Sequence, residues 1–147
     1  ASELRLKQIN LVIFPNWSQP EELIFLEIKS VINTIATHPD RSCITLLIDT
    51  TNISEEDANL VISGVAMNLL MEENLDVDEG PEISIVGQLS EIQRSALLTR
   101  TQARIILENE NQRAIAATGA NNIPTCNLSS LSNMRAVQLT TGNWQFQ

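Results

Sequence analysis

The chain alternates short apolar runs with longer segments in which apolar residues recur at helical spacing. The first run, from Ile9 to Phe14, is continuous and stops at Pro15, which is typical of a strand buried on both faces. Comparable runs recur along the chain with polar turn residues between them. They predict strands over residues 9–14, 43–48, 83–86, 104–107 and 123–127.

The segments between these strands carry helix signals. Ser18 is the predicted N-cap of the first helix, and Ser54, with Asp57 three residues later, begins the second. Gly119 is suited to end the last one, because glycine accepts a positive φ. Helices are therefore predicted over residues 18–37, 54–73, 90–98 and 110–117.

This alternation of strand and helix predicts a parallel sheet with right-handed crossovers. We therefore expect an α/β fold, a three-layer Rossmann-like domain with a mainly parallel sheet of four or five strands and helices on both faces. Residues 1–127 are expected to form this domain. Residues 128–147 are rich in Ser and Thr and are expected to form a C-terminal helix or a partly ordered tail.

Composition narrows the choice of partners. The 147 residues suit one domain, and the formal charge of −9 repels a phosphate backbone, so no nucleic acid is expected. No apolar stretch approaches the roughly 18 residues of a membrane span, and the start has no signal-peptide run, so we expect no membrane partner and a cytoplasmic location. Cys43 and Cys126 both fall in predicted strands, where a thiol is usually a small buried hydrophobe.

Ligands of such sheets bind beyond the carboxyl ends of the strands, so the loops after the first four strands supply the candidates. Trp17 can stack on a sugar or base, or plug the end of the sheet. Asp49 can bind a ribose, or start a turn through its own side chain. Glu108 and Glu110 can hold hydroxyl groups, or cap the following helix. The ligand-binding candidates are Asn16, Trp17, Ser18, Asp49, Thr50, Gln88, Glu108 and Asn109.

The sequence lacks the residues that several kinds of binding and catalysis require. The first loop has no G-x-G-x-x-G, and the chain has no P-loop motif, which excludes both glycine-rich ways of cradling phosphate. The one histidine, His38, lies in a His-Pro-Asp turn and is expected on the surface, away from the candidate loops. Neither cysteine has a nearby histidine, and no cluster of metal ligands occurs. No catalytic residue, metal site or cofactor is predicted, and a stand-alone hydrolase or oxidoreductase is disfavoured.

One resemblance covers about residues 9 to 128. The strings IFPNWSQPEE, ATHPD, ITLLIDT, NISEEDANL, AMNLLMEE, GPEISIVGQLSE and ARIILENENQRAIA resemble a domain of cyanobacterial multidomain glycosyltransferase-like proteins, which looks like the nucleotide-sugar-binding half of a GT-B glycosyltransferase. A response-regulator receiver domain also alternates strands and helices. Such a domain needs an acidic pair after the first strand, where this chain has Pro15, Asn16 and Trp17.

The resemblance implies a domain that binds a nucleotide-sugar as one part of a larger polypeptide. Asn122-Ile123-Pro124 matches the family pattern before the last strand, and Glu108 matches a donor-binding glutamate. Arg113 stands where the pattern has Glu, and the basic pair that holds the donor is missing. The acceptor side would belong to another half of the enzyme. The alternative is therefore a non-catalytic interaction or scaffold module with a degenerate donor site, whose partners are the other domains of the parent polypeptide.

Overall fold

A computed structural model describes residues 5–87 and 89–147. Over residues 9–131 the strands alternate with helices, as the sequence pattern predicts. The strands are β1 Ile9–Ile13, β2 Ile44–Ile48, β3 Glu82–Ile85, β4 Ala103–Ile105, β5 Thr125–Cys126, β6 Ala136–Gln138 and β7 Trp144–Phe146. The helices are α1 Glu21–Ala36, α2 Glu55–Glu73, α3 Glu91–Thr99, α4 Gln112–Thr118 and α5 Leu128–Leu131, with 3₁₀ turns at Arg41–Cys43 and Ala120–Asn122.

The first five strands form a parallel sheet in the order β3-β2-β1-β4-β5. Strand β1 is central because the chain first adds β2 and β3 on one side and then returns to add β4 and β5 on the other. The connections leave β1 and β4 in opposite directions, so the strand order reverses between these two strands. This is the switch point at which such sheets bind ligands.

Alternate residues of β1 build two separate cores. Leu11 and Ile13 pack with the buried faces of α1 and α2, whereas Val12 and Phe14 pack with Leu97 of α3 and with α4. A strand whose residues are all buried belongs in the middle layer of a three-layer fold. The prediction of a Rossmann-like α/β fold with helices on both faces is confirmed.

The C-terminal segment adds structure that the sequence did not indicate. After the one-turn helix α5, β6 and β7 pair as an antiparallel hairpin rather than forming a return helix or a tail. The backbones of Arg135 and Gln147 exchange two hydrogen bonds, of 2.7 and 3.0 Å. Phe146 of this hairpin is buried in the same core as α1.

His38 is not a surface residue, contrary to expectation. It is 2% exposed, and its ring packs at a tilt against Phe146 with 5.4 Å between ring centroids. Its Nδ1 accepts a hydrogen bond from the Asp40 N–H, and its Nε2 lies 2.8 Å from the Met134 carbonyl oxygen. This pattern assigns the proton to Nε2. The C-terminal hairpin covers this turn, and no residue pattern near His38 indicates that cover.

Two further local predictions are wrong. Helix α1 begins at Glu21 with Pro20 as its N-cap residue, and Ser18 is exposed and does not cap it. The Ser18 N–H instead donates to Asn16 Oδ1 at 3.1 Å, so Asn16 organises this loop. Cys43 lies in a 3₁₀ turn just before β2 and is partly exposed, whereas Cys126 is buried in β5 as expected.

Candidate functional site

The loops after β1 and β4 meet at the switch point and are joined by their backbones. Pro15 and Glu110 form an isolated antiparallel bridge. The Asn16 N–H donates to the Asn109 carbonyl at 3.3 Å, and the Asn111 N–H donates to the Phe14 carbonyl at 2.9 Å. At the point where related sheets bind ligands, these two loops are therefore bonded to each other through their main chains.

Side chains of β4 and α1 reinforce this contact between the two loops. Arg104 of β4 forms an ion pair with Glu110, with 2.6 Å between Nη1 and Oε2, and both side chains are largely buried. Glu27 of α1 reaches the loop after β4, where its Oε2 accepts from the Asn109 N–H at 3.3 Å. Asn111 caps α4 by accepting from the Ala114 N–H at 3.1 Å. The expectation that Glu108 or Glu110 caps this helix is wrong, because Asn111 occupies that position.

Trp17 and Asp49 are brought together, but by structural contacts. The indole Nε1–H donates to the Asp49 carbonyl oxygen at 2.8 Å, which ties the loop after β1 to the end of β2. The Asp49 carboxylate accepts from the Thr51 hydroxyl at 2.8 Å and from the Thr51 N–H at 3.2 Å. The interpretation of Asp49 as the start of a turn is confirmed, as is the packing of Trp17 against the sheet end.

The electrostatics of Asp49 come from its burial. Removal from water raises the pKa of Asp49 above its ordinary value of 3.8, and the Thr51 hydrogen bonds and the positive charge of Arg94 partly oppose that rise. Sequence reasoning did not single out Arg94. Its place in the first turns of the helix that follows β3 was the available signal, since such residues lie at the carboxyl edge of the sheet.

The remaining candidates are spread along the same edge. Thr50 is buried against Gly87, Asn16 and Asn109 face each other through their backbones, and Ser18 and Glu108 are exposed. Gln88 lies outside the described residues. Sequence reasoning also missed Glu27, and no local pattern connects a residue in the middle of α1 with a loop eighty residues further along.

Among the residues that the structure describes, cavities adjoin this edge on both faces of the sheet. One, of about 360 Å³, lies between α1 and α2 and is lined by Trp17, Ile24 and Leu60 with the carboxylates Glu21 and Asp57. The other, of about 40 Å³, lies on the opposite face beside Asp49 and Arg94. The first falls in the size range of small-molecule sites, whereas the second has room for little more than water.

A larger cavity of about 590 Å³ lies at the opposite edge of the sheet, beneath the hairpin. Asn10, Gln102 and Trp144 are among the residues that line it. The Asn10 amide donates to the Arg100 carbonyl at 2.9 Å, and Gln102 Oε1 accepts from the Asn10 N–H at 2.6 Å. Its central polar groups are thus engaged in joining β1 to the chain before β4.

Within residues 5–87 and 89–147, no group of three or more His, Cys, Asp or Glu side chains is arranged to hold a metal ion. None of the helices in this part of the chain combines the length and hydropathy that a bilayer crossing requires.

Comparison with known proteins adds no identification. No protein family matches the sequence, and no curated protein matches it either.

Proposed function

We propose that this chain is a non-catalytic interaction domain with a Rossmann-like fold, and that it acts as one part of a larger protein. The observation that carries the proposal is the closed switch point. The bridge between Pro15 and Glu110 and the hydrogen bond between Asn16 and Asn109 use the backbone groups that would otherwise face a ligand. The Arg104–Glu110 ion pair supports the same closure.

Charge supports this proposal as well. The cavity beside Trp17 carries Glu21 and Asp57, which repel a diphosphate, and Arg94 lies on the other face beside Asp49. Gly87 packs against Thr50, so it does not offer an open glycine loop to a phosphate. We place the protein in the cytoplasm, because Cys43 and Cys126 are both free thiols, as a reducing compartment favours.

A second candidate function is nucleotide-sugar binding by a glycosyltransferase-like domain, as the sequence resemblance implies. The cavity of about 360 Å³ at the carboxyl edge favours it, because Trp17 lines this cavity together with carboxylates. Carboxylates can accept hydrogen bonds from sugar hydroxyls, and an indole can stack on a ring. In this candidate, transfer of the sugar requires the acceptor half of the enzyme from another part of the parent protein.

Titration of the 147-residue chain with UDP, GDP and their sugar conjugates separates the two functions. The interaction-domain proposal predicts no saturable thermal shift at millimolar ligand. A bound donor would instead stabilise the fold by about 2.7 kcal/mol at a concentration of 100 times Kd. Saturable stabilisation of the wild-type chain would overturn the proposal.

Three tryptophan variants locate any binding that is seen. Trp17→Phe keeps a ring at the cavity between α1 and α2, whereas Trp17→Ala removes it. Trp144→Ala is the matched control in the larger cavity at the opposite edge. Stabilisation that is lost in Trp17→Ala, kept in Trp17→Phe and kept in Trp144→Ala would establish the donor site of the second candidate.

A further inference from the structure

Helix α2 is apolar on two opposite faces, and the sheet covers only one of them. Ala58, Val65 and Leu69 are buried against the core. On the far side, Leu60, Met67 and Met71 are 66, 56 and 75% exposed. These three residues and Gly64 follow one another at intervals of three or four residues, so they form one continuous line along the helix. We call these four residues the outer stripe.

The outer stripe differs from ordinary surface composition. Single exposed apolar residues are common and need no explanation, whereas a contiguous exposed patch marks an interaction surface. Two of its four residues are methionines, whose unbranched, polarizable side chains adapt to varied partners. Gly64 has no side chain, so the centre of the stripe is low, and Phe25 of α1 lies beside it.

Acidic residues border the outer stripe at both ends. Glu56 and Asp57 lie in the first turn of α2, and Glu72 and Glu73 end the helix. Residues 55–79 include eight carboxylates and no Lys or Arg. Asp57 and Glu72 are separated by about 22 Å along the helix axis at 1.5 Å per residue.

The cavity between α1 and α2 adjoins one end of this surface. Leu60 and Asp57 line the cavity and also belong to the outer stripe and its acidic border. Its apolar walls include Trp17, Ile24 and Val61. A single large side chain of a partner can enter such a pocket, as the anchors of protein interfaces do.

We propose that the outer face of α2 binds a basic amphipathic helix of a partner protein or partner domain. Apolar residues of that helix pack on the outer stripe, one of them enters the cavity beside Leu60, and Lys or Arg residues about four turns apart pair with the two acidic ends. This inference rests on the proposed role as an interaction domain and names its surface and its partner. A second copy of the chain does not fit, because a two-fold contact between two α2 helices sets acidic ends against one another. An anionic membrane is repelled in the same way.

The test uses a fluorescent Leu/Lys peptide of about the same length as α2, with its leucines at helical spacing, and measures its binding to the full chain by fluorescence anisotropy. Two control peptides accompany it. One has the same composition in an order that breaks the helical spacing, and the other carries Glu in place of every Lys. We expect saturable binding of the Leu/Lys peptide alone, weakened by salt because the two ends pair by charge.

Variants of the protein localise that binding. Met67→Glu and Met71→Glu each place a charge in the outer stripe, and we expect each to weaken binding by about 10-fold or more. Ile92→Glu is the matched control, because Ile92 is 83% exposed but lies on α3, on the other face of the sheet. We expect Glu72→Lys to weaken binding of the Leu/Lys peptide, and to weaken binding of a peptide with more lysines to a greater extent. Glu91→Lys, on α3, should leave the binding unchanged.

Each outcome decides the proposal. The proposal is supported if binding is weakened by the Met67 and Met71 substitutions and is seen only for the peptide that has both helical spacing and Lys. The proposal is overturned if the rearranged peptide binds as tightly as the Leu/Lys peptide, or if the Leu/Lys peptide does not bind. It is also overturned if Ile92→Glu weakens binding as much as Met67→Glu does. A dimer in sedimentation experiments that Met67→Glu abolishes would also overturn it and would assign the surface to a second copy. Failure of this inference can be distinguished from failure of the proposed function. If neither a peptide nor a nucleotide-sugar binds, the outer stripe is not the binding surface, but the proposal of an interaction domain still stands. Binding of a nucleotide-sugar would overturn the proposed function itself.

Discussion

Gly87 follows β3 and lies against Thr50 at the end of β2. A Cβ atom built on Gly87 overlaps Thr50 Oγ1 and lies 3.1 Å from the Thr50 carbonyl oxygen. Rotation of the threonine side chain cannot relieve the second contact, because it involves the backbone. The requirement for glycine here comes from the close approach of two chain segments and cannot be recognised from neighbouring residues in sequence.

We expect Gly87→Ala to destabilise the fold by about 1–3 kcal/mol, as overpacking of a tight site does. Gly64→Ala is the matched control. Its added Cβ lies 3.6 Å from a ring carbon of Phe25, an ordinary contact, and alanine in a helix interior is favoured over glycine by about 1 kcal/mol. Urea denaturation of both variants measures the difference, and equal effects of the two substitutions would contradict the argument.

Asp49 gives a prediction with a definite sign in pH. Because burial raises its pKa above 3.8, the folded chain binds this proton more tightly than the unfolded chain does. Its contribution to the free energy of unfolding is therefore largest at low pH and is lost as the pH rises from 3.8 through the raised pKa. Asp49→Asn removes this dependence, while its amide oxygen can still accept from Thr51.

The measurement is the difference in free energy of unfolding between Asp49→Asn and the wild type across the acid range. We expect this difference to move in favour of the variant as the pH rises. A difference for Asp49→Asn that moves in favour of the wild type with rising pH would contradict the raised pKa.

Helix starts show where a local pattern suffices and where it does not. Ser54 caps α2 by accepting from the Asp57 N–H at 3.1 Å, and Ser90 forms a capping box with Gln93 before α3. The starts of α2 and α3 can therefore be predicted from residues that lie close together in sequence. Ser18 presents the same residue type before a helix, but Pro20 takes the N-cap position and the start shifts.

This contrast predicts different effects of two Ser→Ala substitutions. Ser54→Ala removes a side-chain cap and should cost about 1 kcal/mol of stability. Ser18→Ala removes no cap and should change stability by less than about 0.5 kcal/mol, as surface substitutions usually do. Thermal unfolding of the two variants, followed by circular dichroism, checks the pair. A larger loss in Ser18→Ala would mean that Ser18, not Pro20, governs the start of α1.

The strands were predictable as elements because a parallel sheet covered on both faces demands uninterrupted apolar runs. Their ends differ by a few residues, as at β4, which pairs only over Ala103–Ile105 although the apolar run continues to Leu107. The β6–β7 hairpin was not predicted, because its strands are short and largely exposed and lack a marked alternation. Gly142, with a φ of 93°, was the signal of its turn.

At the scale of the whole molecule, the hairpin completes the core between the end of α1 and the start of β2. Phe146 packs on His38, and the Ala136 N–H donates to Asp40 Oδ2 at 2.9 Å. The candidate site shows the same limit of sequence reasoning. The predicted strands were enough to locate the site at the carboxyl edge of the sheet. The contacts of Glu110 and Glu27 with the loops after β1 and β4 join segments that are distant in sequence, so they could not be predicted.

We expect Phe146→Ala to destabilise the protein by about 3–5 kcal/mol, because it removes a large buried side chain. Gln145→Ala, at the neighbouring exposed position of β7, should stay within about 0.5 kcal/mol of the wild type. Chemical denaturation gives both values, and the rate at which a thiol reagent modifies the buried Cys126 reports whether the whole core opens. Equal stability of the two variants would show that the hairpin is not part of the cooperative unit.

The central place of β1 also sets an order of events during synthesis on the ribosome. One edge of β1 can pair as soon as β2 has emerged, but its other edge must wait for β4, which is made after two more helices. At about 5–20 residues per second, that edge stays without its partner for roughly 3–11 s after the end of β2 is made. During this interval an apolar strand edge is open to other chains, and the arrival of β4 is the step that removes the nascent protein from that risk.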